Sequence, residues 1–160
     1  MAAAGVLGTR LYCNDTPLVN IEAAVANIGD FQGLTITTEA GLIESLGELG
    51  RVFSPVNFQA VADGRMYKLK GGYDDGNMQL TFGQDLTDAG QFLLNEHAQV
   101  SDQNTYPHKI TLVGADPSFS YIYFGAKVMS YRTQLGAVNV IVKAMVTLEI
   151  NTPIYIGAAS

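Results

Sequence analysis

Cysteine is almost absent from this chain: Cys13 is alone among 160 residues, so no internal disulfide can form and no redox compartment follows. Its expected role is that of a small buried apolar residue. Histidine is nearly as scarce. His97 and His108 have no cysteine or carboxylate at ligand spacing, which argues against a metal site. No serine sits in a nucleophile context, and G-x-S-x-G is missing. A phosphate-cradling glycine loop is missing too, because Gly71, Gly72, Gly76 and Gly83 fall at strand ends and turns. Catalysis has no visible seat, and no cofactor is expected.

Positive charge is also thin. Nine Lys and Arg face 15 Asp and Glu, giving a net charge of −6 and a pI near 4.7. The cations are scattered singly from Arg10 to Lys143, and the nearest approach to a cluster, Arg65, Lys68 and Lys70, is balanced by Asp63, Asp74 and Asp75. Tight binding of nucleic acid needs a basic patch, and none is present. Charged residues make up only 15% of the chain while 48% is hydrophobic, a balance that leaves neutral or apolar surface suited to assembly. No run approaches the roughly 20 apolar residues of a membrane span. The opening MAAAGVLGTR has no charged stretch followed by an apolar core, so a signal peptide is not expected and folding in a cytoplasm is. The length fits one domain, residues 1–160.

What the chain does have is alternation. In Asn77–Phe82, Met78, Leu80 and Phe82 point one way and Asn77, Gln79 and Thr81 the other, the period of a half-buried strand. From Val138 to Ile150 every even position is apolar, which predicts one strand along about 40 Å of extended chain. Further strands are predicted at Thr9–Cys13, Leu18–Ile28, Leu34–Thr38, Arg51–Val61, Arg65–Lys70, His108–Val113 and the aromatic-rich Phe119–Tyr131. Ala62-Asp63-Gly64 joins two of them as a hairpin turn, and Asp74-Asp75-Gly76 is a second turn. One helix follows Phe82, with Asp85 expected at its N-cap, Asp88 in its first turn, and Leu86, Ala89, Phe92 and Leu93 as its apolar stripe. These acids are explained by turns and capping rather than by acid–base chemistry. The sum is a mainly β fold: a β-sandwich or small barrel of antiparallel strands with one flanking α-helix.

Two segments stand apart. Glu39–Gly50 fits neither period, and its Leu42, Ile43, Leu46 and Leu49 read either as an assembly loop or as a short amphipathic helix packed on the same domain. Tyr121, Tyr123, Phe124 and Tyr131 could stack a ligand, but half-buried strands favour aromatics anyway, and core or interface packing is the better reading.

The strand–helix run with D-x-x-D-A-G-Q at Asp85–Gln91, the stretch Tyr123–Ser130 (of the type F-x-G-x-V-x-S) and the closing V-T-L-E-I-N at Val146–Asn151 occur in an order that resembles the major tail tube proteins of long-tailed (siphovirus-type) bacteriophages. The resemblance spans about Thr9 to Asn151. It implies a non-enzymatic virion protein in which six copies form a ring, inner sheets join into a barrel, and rings stack into a hollow tube for DNA delivery. Implied partners are the chain itself, the tail-tip initiator, the tail terminator and a tape measure protein inside the tube, with DNA passing the lumen unbound. Assembly would occur in the host cytoplasm, and no further domain is expected after Ser160. The resemblance also implies a long excursion at about 39–72 that reaches neighbouring subunits.

Leu42, Ile43, Leu46, Leu49, Val138, Val140 and Val142 are the expected inter-subunit contacts. On this reading, deleting Leu42–Leu49 blocks polymerisation and leaves the domain folded. A ring-forming terminator or type VI secretion tube homologue is the alternative. A soluble β-sandwich binding a ligand through Tyr121, Tyr123 and Tyr131 is a remoter one.

Overall fold

Two short strands that are neighbours in sequence stand at opposite ends of one sheet, and that fact sets the architecture. The computed structural model describes residues 7–19 and 26–158. In chain order its elements are β1 (Arg10–Cys13), α1 (Ile28–Gln32), β2 (Thr38–Ala40), β3 (Ile43–Ser45), β4 (Val52–Gln59), β5 (Met66–Asp74), β6 (Asn77–Gly83), α2 (Ala89–His97), β7 (Tyr106–Thr111), β8 (Tyr121–Gln134), β9 (Lys143–Ile150) and β10 (Tyr155–Gly157), with a 3-10 turn at Pro117–Phe119. The main sheet has eight strands in the order β2-β1-β7-β8-β9-β6-β3, with β10 added beside β8, and every pairing is antiparallel. Only Gly41 and Leu42 separate β2 from β3. The sheet must therefore curl until its ends meet.

The inward face follows from the alternation. Met78, Leu80 and Phe82 of β6, Ala144, Val146, Leu148 and Ile150 of β9, and Phe124, Ala126 and Val128 of β8 converge with Leu11, Ile110 and Leu94 into one buried cluster. On the other side of β8, Tyr123 meets Phe31 of α1 with ring centroids 6.0 Å apart, and Ile36 completes a second, smaller cluster. The middle of β8, Tyr123–Ala126, is thus buried on both faces. Tyr123 is 4% exposed and Tyr121 packs against its cluster, so these rings are packing groups and not an open stacking platform.

Helix α2 closes the corner where the sheet ends meet. Asp88 is its N-cap: the carboxylate accepts from the Gln91 N–H at 3.1 Å and from the Gly41 N–H at 3.1 Å. Gln91 is fully buried. Its amide donates to the carbonyls of Gly41 (2.9 Å) and Gly83 (3.0 Å) and accepts from the Asp85 N–H (2.9 Å). Gly90 lies so close to the backbone of Glu39 and Ala40 that a Cβ there would collide with it. The D-x-x-D-A-G-Q wording is therefore a corner lock.

Several expectations are corrected. The helix cap is Asp88, not Asp85, whose carboxylate instead accepts from the Thr87 N–H in the preceding turn. The face of α2 turned inward carries Gly90, Gln91, Leu94 and His97, because close docking demands glycine and polar stitching; Leu86 and Phe92 of the expected stripe are exposed. Gly29 and Asp30 do not break a strand but lie in α1, where the Asp30 carboxylate accepts from the Asn27 N–H at 3.0 Å. Of the expected strand Leu18–Ile28, Leu18 makes one bridge to Thr105, Ile28 opens α1, and residues 20–25 lie outside the described residues. The strand expected at Leu34–Thr38 begins only at Thr38.

The last strand starts at Lys143, not Val138. Its partner β8 ends at Gln134, opposite Lys143, and the chain between turns through Gly136 (φ 68°) and Asn139 (φ 69°). Alternation continued in sequence where no partner strand continued in space. Glu39–Gly50 is neither a helix nor a free loop: Ile43–Ser45 pairs with β6, and Ile43, Leu46 and Leu49 pack against the main core. Deleting Leu42–Leu49 would thus remove an edge strand and part of the core cover, so the folded deletion expected from sequence does not follow.

Candidate assembly surfaces

β4 and β5 pair only with each other and belong to no other sheet. They form a two-stranded arm whose residues are exposed along nearly its whole length. Local chemistry explains the hairpin: Asp63 accepts from the Arg65 N–H (3.1 Å) and from the Tyr67 hydroxyl (2.8 Å), and Gly64 takes φ 66° at the turn. These two hydrogen bonds hold the Asp63 carboxyl below its usual range, the backbone one foremost. At the root, the Arg51 guanidinium donates to Asp75 at 2.9 Å and lies over the Tyr73 ring, 4.3 Å from its centroid. Phe53 packs on Tyr73 with centroids 5.6 Å apart.

The register makes the arm two-faced. Val56 lies opposite Leu69 and Phe58 opposite Tyr67, so these four share one side. Asn57 opposite Lys68, and Gln59 opposite Met66, share the other. Val56, Phe58, Tyr67 and Leu69 are 51%, 64%, 43% and 68% exposed. A lone hairpin is marginal in water, and an apolar sheet face needs cover.

The sequence-nominated residues divide. Leu42 is exposed (63%) at φ 58°, whereas Ile43, Leu46 and Leu49 are half-buried against the core. Val138, Val140 and Val142 sit in the β8–β9 connection, 88%, 51% and 39% exposed, beside exposed Leu135 and Ile141. The arm's apolar face was not among the nominations. Its signal was present, since Val56-Asn57-Phe58-Gln59 and Tyr67-Lys68-Leu69-Lys70 both alternate on either side of the Asp-Gly turn.

Strand edges add a third surface. β9 is flanked throughout by β8 and β6, so it offers no open edge. β7 covers β8 only from Tyr121 to Ala126, and among the described residues no strand pairs with that edge from Lys127 to Gln134.

The titratable groups inside the fold are structural. His108 is fully buried against Phe124, neither ring nitrogen has a hydrogen-bond partner, and burial pulls its pKa down to about 3. His97 stacks on Tyr106 at 3.5 Å and meets the Asp15 carboxylate at 3.1 Å. Burial pushes the Cys13 thiol up to about 12, which keeps it unreactive. Among the described residues no three His, Cys, Asp or Glu side chains gather as a metal site, and no helix is long and apolar enough to cross a membrane.

No family model matches the sequence, and no curated protein matches it. Solved structures do match. The chain aligns over 99% of its length with 99% of a chain of the sheath/tube terminator of an extracellular contractile injection system (PVC, extended state), at TM-score 0.68 and 13% identity. A chain of the PVC sheath–tube complex matches at TM-score 0.66 and 14% identity, over 98% of this chain and 92% of that one. The SPP1 tail tube matches at 0.56 and 13%, over 96% and 80%. At these identities the likeness speaks for the fold: the chain has the mainly β, antiparallel fold seen in tail-tube and tube-terminator chains.

Proposed function

We propose that this chain is a non-enzymatic structural subunit of a phage-type tail tube, associating in rings of six that stack into a hollow conduit for DNA. The observation that carries this is the arm: a body with a tail-tube fold projects a hairpin whose apolar face its own chain leaves uncovered. The open β8 edge at Lys127–Gln134 suits sheet-to-sheet joining around a ring, and the exposed Leu42, Val138, Val140 and Val142 suit packing between rings. Joining through unlike surfaces is heterologous, and such contacts close into rings or repeat into filaments. The net charge of −6 suits a conduit that lets DNA slide without holding it. Tail-tip, terminator and tape measure proteins are the partners this role requires, and the virion tail is its location. The siphovirus-type assignment stays the finer part of the proposal, drawn from the motifs, since the fold occurs in contractile systems as well.

A terminator role is the second reading, favoured by the likeness to the PVC terminator. Negative-stain electron microscopy of the concentrated protein separates the two. Hollow tubes of stacked rings are expected; closed rings that never extend would favour the terminator. A protein that stays monomeric even with tail-tip seeds would overturn both.

A further inference from the structure

Beside the root of the arm lies a cleft of about 550 Å³, lined by Leu46, Leu49, Met78, Ile110, Leu112 and Ile122. Two acids, Glu44 and Glu48, border it. The Glu44 carboxylate is engaged by Lys143 at 2.8 Å, whereas Glu48 has no ion-pair partner among the described residues. The cleft is thus an apolar floor with one uncompensated acid, Glu48, on its rim.

We propose that this cleft is the acceptor for the apolar arm face of a second copy of the chain; the inference rests on the self-assembly reading and names the site where one copy grips the next. Three observations select that occupant. The first is chemical match: the arm presents Val56, Phe58, Tyr67 and Leu69 on one face, and the Arg65 guanidinium reaches over the Tyr67 ring of that face, 5.6 Å from its centroid. An apolar ridge with a cation at its tip fits an apolar cleft with an unpaired acid on its rim.

The second is reach. Leu49 lines the cleft, and β4 begins at Val52, so arm and cleft share a root. The ladder runs from the Val52–Asp74 pair to the Gln59–Met66 pair, which carries the tip about 23 Å away. A paired hairpin cannot double back across that distance onto its own root, so the arm that fills the cleft belongs to another copy. The third is symmetry. Donor and acceptor are different surfaces on one chain, the heterologous arrangement from which rings and filaments grow.

Cysteine pairing tests this directly, because Cys13 is buried and takes no part in exchange. Glu48→Cys marks the rim and Leu69→Cys marks the arm face. Both positions are exposed, so each variant is expected to fold with an unchanged melting temperature. Mixed under mild oxidation, the two variants should form a disulfide-linked heterodimer, while neither forms it alone. Independently, Glu48→Lys should raise the concentration needed for assembly at least tenfold, and adding Arg65→Glu in the same chain should recover most of that loss. Wild-type protein that assembles while the mixture gives no cross-link overturns the cleft as acceptor and leaves the tube reading standing. So does Leu69→Cys cross-linking only to itself, which would mean that arms pair with arms. Wild-type protein that forms no assembly under any condition overturns both.

Discussion

The side-chain amide of Gln91 donates to the carbonyl of Gly41 at 2.9 Å, and through that bond helix α2 holds the two-residue link between the sheet's opposite ends. The same amide reaches Gly83 and Asp85, so three backbone groups from three segments depend on one buried side chain. Replacing it by leucine keeps the volume and orphans all three. Each hydrogen bond to a neutral group is worth about 1 kcal/mol, so Gln91→Leu should destabilise the fold by about 3 kcal/mol in urea denaturation. A loss under 1 kcal/mol would mean that the corner is held by apolar packing alone.

Gly90 gives a prediction of reversed sign. In a solvated helix, Gly→Ala is stabilising by about 1 kcal/mol. Here the added methyl would strike the backbone of Glu39 and Ala40, which are tied into the sheet and cannot yield as a flexible side chain would. Gly90→Ala should therefore destabilise by about 3 kcal/mol, the upper range for overpacking. A stabilised Gly90→Ala protein would show that the helix can lift away from β2 at little cost.

Much of this fold was legible, and the misses share one cause. Met78, Leu80 and Phe82 alternate because one face of β6 is buried and the other is not, so the pattern and the environment agree. Val138–Val142 alternate just as well and form no strand, because a strand exists only where a partner lies alongside, and alternation within one segment does not report the partner's end. The stripe on α2 failed for a related reason. Apolar spacing pointed to Leu86 and Phe92, while the helix docks through Gly90 and Gln91, whose value lies in closeness and in backbone groups far off in sequence. Of the assembly surfaces, the hairpin was visible in the Asp63-Gly64 turn, but its uncovered face was not. Amphipathic alternation looks the same whether the chain's own core or another copy covers it.

His108 makes stability depend on pH in a defined window. Its folded pKa, about 3, lies below the ordinary 6.5 because full burial disfavours the charged ring, with repulsion from His97 adding to it. Below pH 6.5 the unfolded chain binds a proton there and the folded chain does not, so stability falls as pH falls toward 3. The slope for one such group is about 1.4 kcal/mol per pH unit, or roughly 2.7 kcal/mol between pH 6.5 and 4.5. The carboxylates held below 3.8, such as Asp85, contribute their losses only further down. Since both ring nitrogens already lack partners, His108→Leu should cost little at pH 7 and should flatten this slope. Denaturation curves across the window, taken for both proteins, decide it; a variant that keeps the slope would place the titration elsewhere.

The arm separates folding from assembly. Its residues make a ladder with each other and leave both main clusters untouched, so nothing in the core depends on them. At the root Val52 and Asp74 are paired across the ladder, so the backbones of Arg51 and Asp75 lie near enough for a short turn to replace residues 52–74 without displacing β3 or β6. A chain so shortened should keep its melting temperature within a few degrees and lose assembly entirely, staying monomeric in analytical ultracentrifugation at concentrations where the full chain sediments as rings or tubes. The contrast with the corner lock is the point of the experiment. Gln91→Leu lowers stability while leaving the assembly surfaces in place, whereas removal of the arm takes the principal contact and spares the fold. If the shortened chain still builds tubes, the β8 edge and the Val138–Val142 connection are sufficient for growth, and the arm serves some other contact.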